Sequence, residues 1–218
     1  MQHTFDQTAA ARIAARNTPE NIRTRLTLRF SLLYLIAFIA GLLLCRALPL
    51  ASSPALQNAS QAAVRSPLIG CTLARDGIRA ILLSAKYELI LLAALTVSGM
   101  TLFCDRACGA LTALHGFLCG ILCFGIAAWT VRHPELSGEL PFFLCFFAQL
   151  ADAAVLLNVA TEAVIFSYRY RDAAHSQRRE RDALSVHFIL HTMTCAGILI
   201  VIATARAILL LAVKNVSF

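Results

Sequence analysis

Two ionisable side chains, Asp152 and Glu162, and the amide Asn158 stand inside one apolar run, the segment from Pro141 to Phe166, which also holds Gln149. A charged group in the middle of a membrane helix is costly, so each is a candidate for function. At about 100° per residue, Asn158 and Glu162 point the same way, and Asp152 lies about 80° from Glu162. Together they make a polar stripe that should face other helices. His187 and His191 share a face of the next apolar run, and Arg206 lies further along it. Asp152, Asn158, Glu162, His191 and Arg206 thus form a candidate intramembrane polar cluster. The chemistry open to it is proton or ion movement, or plain pairing of buried charges, with Arg206 seeking a carboxylate.

Other reactive residues point to less. His187-x-x-x-His191 has the spacing of a zinc-binding helix, but Phe188 occupies the place of the glutamate base in metalloproteases. Cys104 and Cys108, like Cys119 and Cys123, are four apart, without a second pair at zinc-site spacing. No metal or cofactor is expected. There is no nucleophile elbow, phosphate loop or Cys-x-x-Cys. No soluble segment is long enough to fold around an active site. The expectation is a protein without catalysis of its own.

The elements that position these residues are membrane helices. The chain has 218 residues, 59% hydrophobic and only 14% charged, with mean hydropathy +0.72. Its apolar residues come in long runs, which excludes an ordinary soluble domain. The backbone must satisfy itself in lipid and the runs do not alternate, so the expected class is an all-α, polytopic membrane helical bundle rather than a barrel. Five spans are expected at about 30–50, 82–103, 108–129, 141–167 and 186–213. A basic arm (1–29) precedes them, with Thr18 and Pro19 starting a helix. An outer loop (51–79) and an inner basic loop (168–185) connect them. The segment from Arg75 to Glu88 is amphipathic and could lie in the interface. The first run reads as a retained anchor rather than a cleaved signal. Cys45 and Cys71 bracket the outer loop and could join in a disulfide if it is extracytoplasmic.

The net charge is +7, and Arg supplies most of the basic side chains. Arg flanking membrane helices meets anionic lipid, so the expected partner is membrane lipid and not nucleic acid. The arm and the 168–185 loop each hold five Arg. Lys and Arg counts place the N-terminus inside and the C-terminus outside, in a multi-pass protein of the cell membrane. The pattern leaves a homo-oligomer open.

Between Leu91 and Ala128 two apolar runs are joined by a short Cys104-to-Cys108 link. Gly99, Gly109, Gly116, Gly120 and Gly125 form a small-residue seam there. Small residues let helices approach closely in lipid, so the second and third spans should pack tightly.

The order of a basic arm, RFSLLYLIAFIAGLLL, a long outer loop, LLAALTVSGMTLF, a short break, HGFLCGILCFG and Leu140-Pro141 resembles the stage II sporulation protein M family of Firmicutes. Leu114-His115-Gly116-Phe117-Leu118-Cys119-Gly120 stands where that family has a hydrophobic-Lys-Gly-Phe-x-x-Gly run, with His115 where a Lys is common. The resemblance implies a five-span scaffold of forespore engulfment. Its partners would be the peptidoglycan-degrading stage II sporulation proteins P and D, met through loop 51–79 and the span faces. The alternative is a transport component or permease subunit using the polar residues of the fourth and fifth spans. A third reading is an envelope protein whose basic segments bind lipid.

Overall fold

The computed structural model describes residues 19–47, 77–132, 140–173 and 178–216. They form five helices: α1 (Pro19–Ala47), α2 (Gly77–Gly99), α3 (Cys104–Arg132), α4 (Leu140–Asp172) and α5 (Arg178–Val216). The fold is an all-α bundle, and no strand occurs among the described residues. α1, α3, α4 and α5 are each long and apolar enough to cross a membrane. The protein is therefore read as multi-pass. α2 has 23 residues, which at 1.5 Å per residue reach about 34 Å, against about 30 Å of hydrocarbon.

The helices alternate in direction. The start of α1 meets the end of α4 through Arg23 and Glu162. The start of α3 meets the first half of α1 through Asp105 and Arg29. The end of α2 meets α4 and the start of α5, where Gly99 lies against Ala163 and Phe188. One end of the bundle thus gathers the starts of α1, α3 and α5 with the ends of α2 and α4. Arg23, Arg25, Arg29, Arg106, Arg169 and Arg171 all lie toward that end.

α4 packs against all four other helices, and it supplies the centre of the core. Val159, Ala160, Ala163 and Val164 are fully buried there, with Leu95, Leu156, Phe30 and Leu199 around them. Small side chains at 160 and 163 let neighbours close in on both sides. Phe166 of α4 stacks on Phe188 of α5 at 4.4 Å. Leu35, Ile36, Leu190 and Val201 stand exposed, as side chains facing lipid do in a membrane bundle.

Several expected boundaries move. Residues 19–29 of the expected arm are continuous with the first span, because α1 runs unbroken from Pro19. Thr18 lies outside the described residues. Cys104–Cys108 is not a link. It is the first turn of α3, and the break falls at Met100–Phe103, where Met100 and Thr101 N–H groups bond back to Val97 and Ser98. Arg171 donates to the carbonyls of Leu102 and Thr101 at 2.8 and 3.2 Å, satisfying acceptors that a helix end leaves open. The interfacial segment before the second span is part of α2 from Gly77 on. The inner loop 168–185 is largely helix: α4 continues to Asp172 and α5 begins at Arg178. Cys71 and most of the loop 51–79 lie outside the described residues, as does the disulfide expected there.

The seam is also placed differently. It joins α3 to α1, the most extensive helix contact of the bundle. A Cβ at Gly116 would stand 2.5 Å from the carbonyl oxygen of Tyr34. At Gly120 it would run into the carbonyl of Phe38, and at Gly41 of α1 into that of Phe117. Backbone meets backbone, which only glycine permits. Gly109 has ordinary contacts with Leu33 and Phe30, Gly99 serves α4 and α5, and Gly125 is buried.

Candidate functional site: two polar clusters along α4

Many polar side chains of the spans are satisfied within their own helices. Thr96, Ser98, Thr161, Thr192, Thr194 and Thr204 each donate to a carbonyl four residues back. A hydroxyl can be kept in lipid this way without a partner helix. Charged and amide groups cannot do this, and those of the expected polar cluster sort into two sites.

The first site joins α2, α4 and α5. A nitrogen of Arg206 lies 3.8 Å from a carboxylate oxygen of Asp152 and 3.8 Å from one of Glu88. Asp152 is buried, and Arg206 and Glu88 are 14% and 16% exposed at the side chain. The distances make ion pairs, not hydrogen bonds. The second oxygen of Glu88 is buried with no hydrogen-bond partner. Burying one charge alone costs several kcal/mol, roughly, and opposite charges offset that cost. Tyr34 and Cys119 lie in a small adjoining cluster with Ala153. The Cys123 thiol donates to the Gln149 side-chain oxygen at 2.9 Å, tying α3 to α4.

The second site joins α1, α4 and α5 nearer the basic end. Arg23 donates to the Asn158 oxygen at 3.1 Å and pairs with Glu162 at 2.9 Å. The Asn158 amide nitrogen meets Nε2 of His191 at 3.4 Å. Thr27 and Thr161 hydroxyls meet at 3.3 Å beneath them. A groove of about 260 Å³ opens here, lined by Arg23, Glu162, Ile165, Arg169, His187 and His191.

The five residues expected in one cluster therefore divide. Asn158, Glu162 and His191 are brought together. Asp152 and Arg206 belong to the other site. The 80° turn between Asp152 and Glu162, with nearly three turns of helix between them, sends them to different neighbours. Two members were missed. Glu88 was placed in an interfacial segment, yet its position just before the apolar LILLAAL run is the signal of a carboxylate entering the bundle. Arg23 belongs to the expected arm, and the helix start at Pro19, which carries it into the first span's helix, is the available clue. Asp105, both of whose carboxylate oxygens accept from Nη1 of Arg29 at 3.0 Å, is a further tie between α1 and α3.

His115 lies in α3 with its ring 5.7 Å from that of Tyr34 and its nitrogens 3.7 and 3.8 Å from the Cys119 sulfur. The Cys104 and Cys108 sulfurs are 3.7 Å apart and buried. Among the described residues no group of three or more His, Cys, Asp or Glu has the arrangement of a metal site. No family model, curated protein or solved structure matches this chain.

Proposed function

We propose that this chain is a multi-pass scaffold of the cell membrane, crossing it five times with the N-terminus inside and the C-terminus outside. The supporting observation is how the ionisable residues are used. Asp152, Asn158, Glu162, His191 and Arg206 do not line one shared cavity. They are divided between two ties that hold α4 to α1, α2 and α5. A bundle braced in this way suits a fixed platform. Orientation follows from the Arg-rich end of the bundle, which belongs on the cytoplasmic side.

The resemblance of Leu114–Gly120 to the stage II sporulation protein M motif extends this reading. On it, the chain anchors the peptidoglycan-degrading stage II sporulation proteins P and D during forespore engulfment. The test is deletion of the gene in its host, scored for septal thinning and spore formation. Arrest at engulfment is expected, and normal engulfment would sink the sporulation role. A reporter fused after Phe218 tests topology: activity outside the cytoplasm is expected.

A transport component is the second reading. The unpartnered buried oxygen of Glu88, beside Asp152 and Arg206, favours it. Proton or solute flux into proteoliposomes that is lost in Glu88→Gln would establish it over the scaffold.

A further inference from the structure

We propose that the groove between α1, α4 and α5 binds a phosphate group at the membrane surface, the phosphodiester of an anionic lipid headgroup being the source the geometry favours. The groove holds about 260 Å³. That is room for a headgroup phosphate and its first substituent. Its charge is uneven. Glu162 is taken up by Arg23, and Asn158 bonds both Arg23 and His191. Arg169 and His187 are exposed, and neither has a hydrogen-bond or ion-pair partner among the described residues. One guanidinium is thus left over after the internal pair is made. A planar Arg fork matches phosphate oxygens, and either neutral or protonated His can donate a further hydrogen bond. Glu162 would repel an anion if it were unpaired; its ion pair with Arg23 turns that carboxylate aside.

Position points to lipid. Arg169 sits in the last turn of α4, where the helix leaves its apolar stretch at the Arg-rich end. Basic pockets between membrane helices at such a level receive anionic headgroups. On α5, Ile198 lies on the face of His187 and His191 and Leu190 beside it, one turn from His187; they are 44% and 62% exposed. A headgroup held at the two His would lay an acyl chain along those residues. This site requires only that the bundle lies in a membrane, so it stands apart from the scaffold and transport readings.

The experiment is native mass spectrometry of the full chain in detergent, titrated with phosphatidylglycerol and, separately, phosphatidylcholine. The comparison is between wild type, Arg169→Gln with His187→Gln, and Arg25→Gln. Arg25 is an exposed basic residue of α1 outside the groove. Wild type should prefer phosphatidylglycerol. The double variant should lose that preference by about fivefold or more, the worth of one basic contact at a membrane surface. Arg25→Gln should keep it. Inorganic phosphate is added in competition. Displacement of the lipid at millimolar phosphate, dependent on Arg169, would support the phosphate site and assign it to a soluble phosphate compound. No displacement would assign it to lipid. Equal binding of both lipids by wild type, an unchanged preference in the double variant, or an equal loss in Arg25→Gln would overturn the proposal. Unchanged helicity and melting of the double variant would separate lost binding from lost folding.

Discussion

The carbonyl oxygen of Tyr34 occupies the space in which Gly116 would carry a Cβ, 2.5 Å from it. One turn on, Gly120 meets the Phe38 carbonyl in the same way, and Gly41 answers from α1. These contacts set the distance between α1 and α3. Alanine there must push two backbones apart, since a carbonyl cannot rotate away as a side-chain tip can. Gly116→Ala and Gly120→Ala should each destabilise the bundle by about 1–3 kcal/mol, the range for overpacking a well-filled interior. Gly197→Ala, with nothing within 4 Å of its added Cβ, should be neutral or slightly stabilising. Thermal melting in a mild detergent measures all three. Equal melting of the three variants would show that the seam does not set the packing.

Much of this bundle was legible in the sequence, and its limits have physical causes. Apolar run length marked the helices, because lipid forces the backbone to bond within each segment. The glycine seam was visible at Gly116 and Gly120, but its partner was not. A small-residue face says that a helix will approach closely and does not say which one. The hairpin neighbour α2 was the natural expectation, and α1 took the place because Gly41 offers a matching gap. The polar cluster was over-joined for a related reason. Angular position on α4 was right for Asn158 and Glu162, yet the destination of Asp152 depended on Glu88 and Arg206 arriving from two other helices. Pairings between helices are not encoded in the period of any single one.

The Asp152–Arg206–Glu88 site predicts an order of damage. Removing Arg206 leaves two carboxylates without the cation that pairs with both of them. Arg206→Leu should cost most, about 3–5 kcal/mol for breaking a buried pair. Asp152→Leu should cost less, because Glu88 can still pair with Arg206. Glu88→Gln should cost least, since Asp152 keeps its partner and an unsatisfied carboxylate oxygen is replaced by an amide. Chemical unfolding in detergent gives the ranking. A larger loss in Glu88→Gln than in Arg206→Leu would contradict the pairing.

The Arg23–Glu162 pair should behave otherwise. It is 2.9 Å long, but its side chains are 52% and 21% exposed. An exposed pair is worth about 0–1 kcal/mol, because water and salt screen it. Glu162→Gln should therefore barely move the melting temperature in 0.15 M salt. Asn158 lies deeper and touches both Arg23 and His191, tying three helices at once. Asn158→Leu should cost more than Glu162→Gln, by about 0.5–1.5 kcal/mol, the net worth of a hydrogen bond. Double variants with Arg23→Gln separate the two effects. The Asn158 cost should fall when Arg23 is absent.

The turn at Met100–Phe103 tests whether α2 crosses the membrane. Leu102 is 76% exposed there, and Arg171 bonds its carbonyl from the basic end of α4. The turn therefore lies at the same end as Arg106 and Arg169. Cysteine placed at Leu102 should react with an impermeant maleimide only after the cytoplasmic side is opened. The described native cysteines are buried, so they add little background, and Cys71→Ser removes the remaining thiol. If α2 only rested on the surface, the turn and the start of α2 would lie on one side. A second cysteine at Ser52, in the long loop before α2, distinguishes the cases. Labelling of Ser52→Cys from outside and Leu102→Cys from inside requires a crossing by α2. Labelling of both from one side would leave α2 outside the hydrocarbon and reduce the bundle to four spans.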